Sequence, residues 1–370
     1  MRPTFHRLIF WLHLSTGIIA GLLILSLAVS GFCIAYERQI TEWADHSFKA
    51  RMPDAPRMSL QSLLSNVRQS RPNIALQGIT LKADPASPVL LNLGRESLLY
   101  VDPHDGTILG EGDKTWRAFF HWMTDWHRFL GQHDDARPIG KAITGAATLL
   151  FGCLLISGIY LWWPRHWRMP NLRAALLFNR QLVGRARDWN WHNVIGFWSA
   201  FPLLLIIVTG LIMSYAWANN LLFTLTGSPL PPAREAPRRP GGKSGASPAT
   251  IPSENIDALV QKAMQQEPHW QSISLRMAGK NAVFMIDQGH RGRPDLRTML
   301  TLDARTTDLV SVEPFASNSL GRRLRMYARF LHTGELFGFI GQTLAALSAC
   351  AASLLVWTGF SLAWRRFRKS

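Results

Sequence analysis

Four apolar runs, at about 8–36, 142–163, 194–218 and 336–363, constrain this 370-residue chain more than any other feature. Each supplies the ~20 apolar residues that cross a bilayer core. Two polar stretches, roughly 37–135 and 219–335, lie between them. The expected fold class is an α-helical membrane protein with four transmembrane helices and two small extramembrane α+β modules. The first run exceeds the ~7–15 residues of a signal-peptide core, and no A-x-A-like site closes it, so it reads as a retained anchor.

Charge orients the spans. Residues 1–7, 164–190 and 365–370 hold twelve Lys/Arg against one acid, Asp188, whereas the rest of the chain holds 28 basic and 23 acidic residues. Short basic segments stay cytoplasmic. Both termini are then cytoplasmic, and both polar stretches face the periplasm of a bacterial inner membrane. The net charge of +16 is a topology signal; the basic loops are too short for a nucleic-acid-binding domain.

The chain reads as a tandem repeat. At an offset of 179, His13 meets His192, Gly17 meets Gly196, Gly31 meets Gly210 and Tyr36 meets Tyr215. At an offset of 201, Gly158 meets Gly359, and "YVDPHDGTILGEG" (100–112) meets "TLDARTTDLVSVE" (301–313). Each polar stretch carries a helix-like segment (59–69, 253–266) followed by short alternating strands and a turn. The expected order is span 1–36, module 37–135, span 136–163, basic loop 164–190, span 191–218, linker 219–252, module 253–335, span 336–364 and tail 365–370. The Pro/Gly-rich part of the linker, 228–252, has no core-forming residues and is expected to be flexible. The two halves would be parallel repeats about an axis along the membrane normal.

Histidines carry the chemistry. His13 and His192 sit at the starts of apolar helices, at equivalent repeat positions and similar cytoplasmic depth; an ionisable group there is a functional-site hypothesis by default. Each has a glycine four residues on, Gly17 and Gly196, leaving room for a flat ligand or a helix. At the outer side, His332 matches His127 only through a four-residue gap, because the ungapped alignment places Ala328 opposite His127. His121 and His133 are alternatives; the shared "RFL" favours His127. Two imidazoles from opposite sides suit haem iron, whereas zinc wants about four ligands and no Cys, Asp or Glu stands beside these histidines. Two non-covalent b-type haems are the expected cofactors, since the chain has no C-x-x-C-H.

Arg128, Arg325 and Arg329 lie beside the outer histidines, on the side where positive charge is not expected; they would bind lipid headgroups, haem propionates or an anionic substrate. The tryptophans fit an interfacial belt. Cys33, Cys153 and Cys350 read as buried, inert thiols.

"WHRFLG", "ITGAATLLFGCLLISGIYLWWPR", "NWHNVIGFW", "SYAWANNLLF" and "RFLHTGELFGFIGQ" resemble the PepSY-associated transmembrane family of iron-regulated inner-membrane proteins, nearest to its siderophore-reductase type. "YVDPHDGTILGEG" is similar to the closing hairpin of a PepSY domain. The resemblance implies a di-haem reductase that takes electrons from a cytoplasmic or quinol donor and reduces ferric siderophores in the periplasm. It implies His13 with His192 and His127 with His332 as the axial pairs. Two other functions fit the same residues: a b-type electron carrier serving quinol or a periplasmic redox partner, and a non-enzymatic PepSY protein that binds a partner.

Overall fold

The computed structural model describes residues 3–72, 74–94, 97–163, 169–231 and 254–368. Along the chain these form α1 (Pro3–Ile34), α2 (Glu37–Ala44), α3 (Leu60–Ser70), β1 (Gly78–Lys82), β2 (Val89–Asn92), β3 (Leu98–Val101), β4 (Ile108–Glu111) and α4 (Lys114–Phe129). Next come α5 (Arg137–Trp162), α6 (Met169–Leu176), α7 (Gly184–Ser214), α8 (Ala216–Leu225) and α9 (Ile256–Gln266). The last elements are β5 (Ser272–Ala278), β6 (Asn281–Asp287), β7 (Arg297–Asp303), β8 (Leu309–Pro314), α10 (Leu320–His332) and α11 (Gly338–Phe367).

They divide into two compact units. The first comprises Met1–Glu37, Phe120–Leu225 and Leu324–Ser370; the second comprises Arg38–Phe119 and Thr226–Arg323. In the first unit, α1, α5, α7 and α11 are long and apolar enough to cross a membrane, with mean hydropathy between 1.8 and 2.5. Both α1 and α7 pack against α5 and α11, so the four helices close a ring. Its centre is small and aliphatic (Ala28, Leu155, Leu203, Ile207, Ala352), while large side chains such as Ile19, Leu22 and Phe201 point outward. That inside-out pattern is what lipid solvation permits, since hydrocarbon solvates Leu as well as a core does. Cys153 and Cys350 also lie on this outward surface, contrary to the expectation of buried thiols; only Cys33 is half-buried.

The third span differs from expectation at both ends. It begins at Gly184 instead of 191, and its first turns carry the buried Asp188, bonded to Arg187, and the buried Asn190, bonded to the Leu177 carbonyl before the helix. It stops at Ser214, where Tyr215 turns extended before α8. The expected basic loop therefore shrinks, with α6 occupying part of it. Residues 164–168 of that loop, and residues 232–252 of the expected linker, lie outside the described residues.

The larger correction concerns the two modules. They are one: a single antiparallel eight-stranded sheet ordered β4-β3-β2-β1-β5-β6-β7-β8. β1 pairs with β5 from Gly78↔Arg276 to Lys82↔Ser272. A four-stranded meander would leave β1 and β5 as open edges inviting further pairing; joining them removes both. One apolar core serves both halves, with Leu63, Leu64 and Val67 of α3 and Leu259, Val260 and Ala263 of α9 on the same sheet face as Ile79, Leu91, Ile273 and Phe284. The helices are tied as well: the Asp257 carboxylate on α9 accepts from the Leu60 and Gln61 backbone N–H groups at 2.6 and 3.2 Å, capping α3.

The strand order reads alike from either end, and the closing hairpins match in detail. Both carry a register shift, at Tyr100/Val101 and at Thr301/Leu302. In both, the residue four beyond the turn's aspartate is left-handed and donates to that aspartate's carbonyl: Gly106 (φ 74°) to Asp102, and Thr307 (φ 62°) to Asp303.

Candidate functional site: two imidazole pairs in the helix ring

His13 on α1 and His192 on α7 stand with ring centres 6.3 Å apart. His127 and His332, on the last turns of α4 and α10, also stand 6.3 Å apart. His127 is therefore the residue that meets His332. His121 instead lies beside Asp125, at 3.9 Å, and His133 is exposed in the turn before α5.

The four-residue gap has a structural cause. Helices α4 and α10 are not continuous with the spans that follow. Left-handed turns join them, at Leu130 and Gly131 in the first case and at Gly334 in the second. Gly140 and Gly341 then pack on the Phe129 and Gly334 carbonyls, where any Cβ would collide with backbone. Each connection includes a short 3-10 turn, Asp134–Ala136 and Glu335–Phe337, but Gly140 follows His127 by thirteen positions and Gly341 follows His332 by nine, which is the four-residue gap of the alignment.

All four rings are held in the same way. His127 Nδ1 lies 3.0 Å from the Leu27 carbonyl and 3.0 Å from Ser30 Oγ. His332 Nδ1 lies 3.0 Å from the Ile206 carbonyl and 3.1 Å from Thr209 Oγ1. His13 Nδ1 meets Ser157 Oγ at 2.9 Å together with the Leu154 carbonyl. His192 Nδ1 meets Thr358 Oγ1 at 2.9 Å together with the Leu355 carbonyl. A carbonyl only accepts, so Nδ1 carries the proton and donates, and the lone pair is left on Nε2. His127 and His332 lie outside the four spans. Burial lowers both below the ordinary imidazole value, and His127 falls to about 4, with His332 and then Arg128 adding to the effect. Neutral rings of one tautomer are what metal ligation by histidine requires.

Gly17 and Gly196, expected to leave room for a flat ligand or a helix, face a neighbouring helix, and other glycines lie against the rings. A Cβ on Gly17 or Gly196 would touch only Leu154 or Leu355, at 3.8 and 3.7 Å. The ring Cε1 atoms rest instead on Gly158 (His13, 3.4 Å), Gly359 (His192, 3.6 Å), Gly31 (His127, 3.2 Å) and Gly210 (His332, 3.3 Å), measured to where a Cβ would stand. The hydroxyl partners were missed as well. Their signal was present in the repeat offsets, which take Ser30 to Thr209 and Ser157 to Thr358.

The sequence matches the PepSY-associated TM region over residues 10–366. The chain belongs to that family. A search of the curated proteins finds no match. In this PepSY-associated protein, the three outer arginines are placed as follows. Arg128 and Arg329 reach over their neighbours Phe129 and Phe330, and Arg325 Nε donates to Asn219 Oδ1 at 3.0 Å. At the other end of the ring, Asp188 is 1% exposed and fully engaged: Arg187, Ser361 and Arg365 surround it, one turn from His192. Among the described residues, no group of three or more His, Cys, Asp or Glu side chains could hold a metal ion. Each pair offers two imidazole nitrogens as its possible ligands.

Proposed function

We propose that the protein is a di-haem reductase of the bacterial inner membrane, built as two parallel repeats, that draws on a cytoplasmic or quinol donor and reduces ferric siderophore in the periplasm to release Fe(II). The observation that carries this reading is the paired 6.3 Å spacing with both Nδ1 atoms of each pair turned away to acceptors. Two metal–nitrogen bonds of about 2.0 Å, plus roughly 1.1–1.2 Å from each nitrogen to its ring centre, put the centres about 6.2–6.4 Å apart. The 6.3 Å spacing of both pairs falls within that range. Haem b, if held by these two histidine pairs, would supply a reversible one-electron couple.

The chain's own residues orient and insulate. The Leu27, Leu154, Ile206 and Leu355 carbonyls fix the tautomer, and the glycines let neighbouring helices close on the rings. The pairs contact α1 and α7 at positions 17 residues apart (His13 and Ser30; His192 and Thr209), a helical rise of about 25 Å. That separation nearly spans a hydrocarbon core of about 30 Å, which suits transfer across the membrane. Hard oxygen chelators hold Fe(III) far better than Fe(II), so one electron suffices to loosen the iron. No nucleophile or acid–base pair is needed.

A reduced-minus-oxidised visible spectrum of the purified protein tests the cofactor: two b-type haems per chain are expected, and their absence rejects every electron-transfer reading in favour of a partner-binding one. Dithionite-reduced protein should then be reoxidised by a ferric siderophore and not by oxidised quinone. Reoxidation by quinone alone would make the protein a b-type carrier.

A further inference from the structure

Each histidine donates its Nδ1 proton to a hydroxyl in a cradle where a backbone carbonyl stands three residues earlier on the same helix, Leu27 and Ser30, Leu154 and Ser157, Ile206 and Thr209, Leu355 and Thr358, and in the outer pair the carbonyl accepts as well. The hydroxyls are not idle. Ser30, Ser157, Thr209 and Thr358 donate their own protons to the carbonyls of Ser26, Cys153, Leu205 and Leu354, at 2.7, 2.7, 2.6 and 2.8 Å. A hydroxyl committed as a donor presents only lone pairs to the ring, and donating polarises it into a better acceptor. We propose that Ser30, Ser157, Thr209 and Thr358 are positioning residues that raise the basicity of the four imidazoles and thereby set the reduction potentials of the two sites. This rests on the haem reading above.

The direction follows from charge. An acceptor on Nδ1–H pushes electron density toward Nε2, and a more basic ligand favours the more highly charged ferric state. Four hydroxyls acting together hold both couples low, which suits donation to a ferric chelate that is hard to reduce. Back-bonding alone does not account for the arrangement. Ser15 makes the same bond to the Trp11 carbonyl at 2.8 Å from an exposed face of α1, with no ring to serve. Among the described residues, only at the four cradles does the spacing from carbonyl to hydroxyl coincide with an imidazole.

Redox titration of the full-length protein tests this, with His13→Ala protein identifying which component is the inner one. Ser157→Ala should shift the inner site about threefold to tenfold toward its reduced form at fixed potential, the range one hydrogen bond's net energy covers; tenfold is 59 mV for one electron. The outer site should not move. Ser30→Ala should do the reverse, Ser157→Thr should restore the native value, and Ser15→Ala should change neither. If an alanine variant loses its haem, Ser157→Cys carries the test with the same expected sign, because a thiol is a similar shape and a weaker acceptor. Unchanged potentials with both haems retained would overturn this inference and leave the proposed function standing. A native protein without b-type haem would overturn both.

Discussion

The four histidines make the sharpest test at the scale of single residues, because each pair joins different helices. Changing His13 or His192 to Ala should lower the haem content from two to one and spare the outer signal. His127→Ala or His332→Ala should spare the inner one. Helical circular dichroism should be retained, since α1 and α7 still pack against α5 and α11. Two haems remaining in His127→Ala would remove it from the ligand set. His13 and His192 were legible because ionisable groups are rare in apolar helices; the hydroxyls were not, because Ser and Thr are ordinary there. Away from the membrane, Glu111 offers a pH test. Lys114 and Arg71 hold its carboxyl at about 2, below the ordinary 4.5. Asp45 is also lowered: burial pushes it up, but the Arg117 guanidinium, the Asp113 N–H and the Tyr100 hydroxyl outweigh that. A depressed folded pKa stabilises above the unfolded value and is lost as pH falls through the folded one. The sheet unit should therefore lose thermal stability between about pH 4.5 and 2. Glu111→Gln should flatten only part of that fall, because the pair is a third or more exposed and screened.

At the scale of elements, the two hairpins solve one turn with different residues. The left-handed position costs a residue with a Cβ roughly 1–2 kcal/mol, which Gly106 avoids and Thr307 accepts. Thr307→Gly should stabilise the protein by up to about 1 kcal/mol, the strain relieved less the added freedom of the unfolded glycine. Gly106→Ala should destabilise it by about 1–2 kcal/mol or more, since the new Cβ would also stand 3.0 Å from Asn66 Nδ2 and Met58 Sδ. Thermal unfolding of the full chain reads both, and equal effects at the two turns would reject the argument. The strands β2, β3, β6 and β7 were readable from alternation. The join of β1 to β5 was not: partners nearly 200 residues apart leave no local pattern, and either half alone satisfies the periodicity of a small module.

At the scale of the whole molecule, that join also constrains topology. The first half of the sheet follows α1 and the second half follows α7, so the chain crosses the membrane twice, through α5 and α7, between leaving the first half and entering the second. Strands can pair only on one side, and an even number of crossings is what allows it. The positive-inside rule then chooses the side, because the segment before α7 and the tail after α11 are basic while the sheet-bearing stretches are nearly balanced. In a protein with Cys33, Cys153 and Cys350 replaced by Ala, Lys82→Cys and Lys280→Cys should both react with a membrane-impermeant maleimide added to the periplasm. Arg180→Cys should react only once the inner membrane is opened. Reaction of Lys82→Cys without Lys280→Cys would reject the shared sheet. Reaction of Arg180→Cys in sealed cells would reverse the orientation and place the inner imidazole pair at the periplasmic side, where a cytoplasmic donor could not serve it.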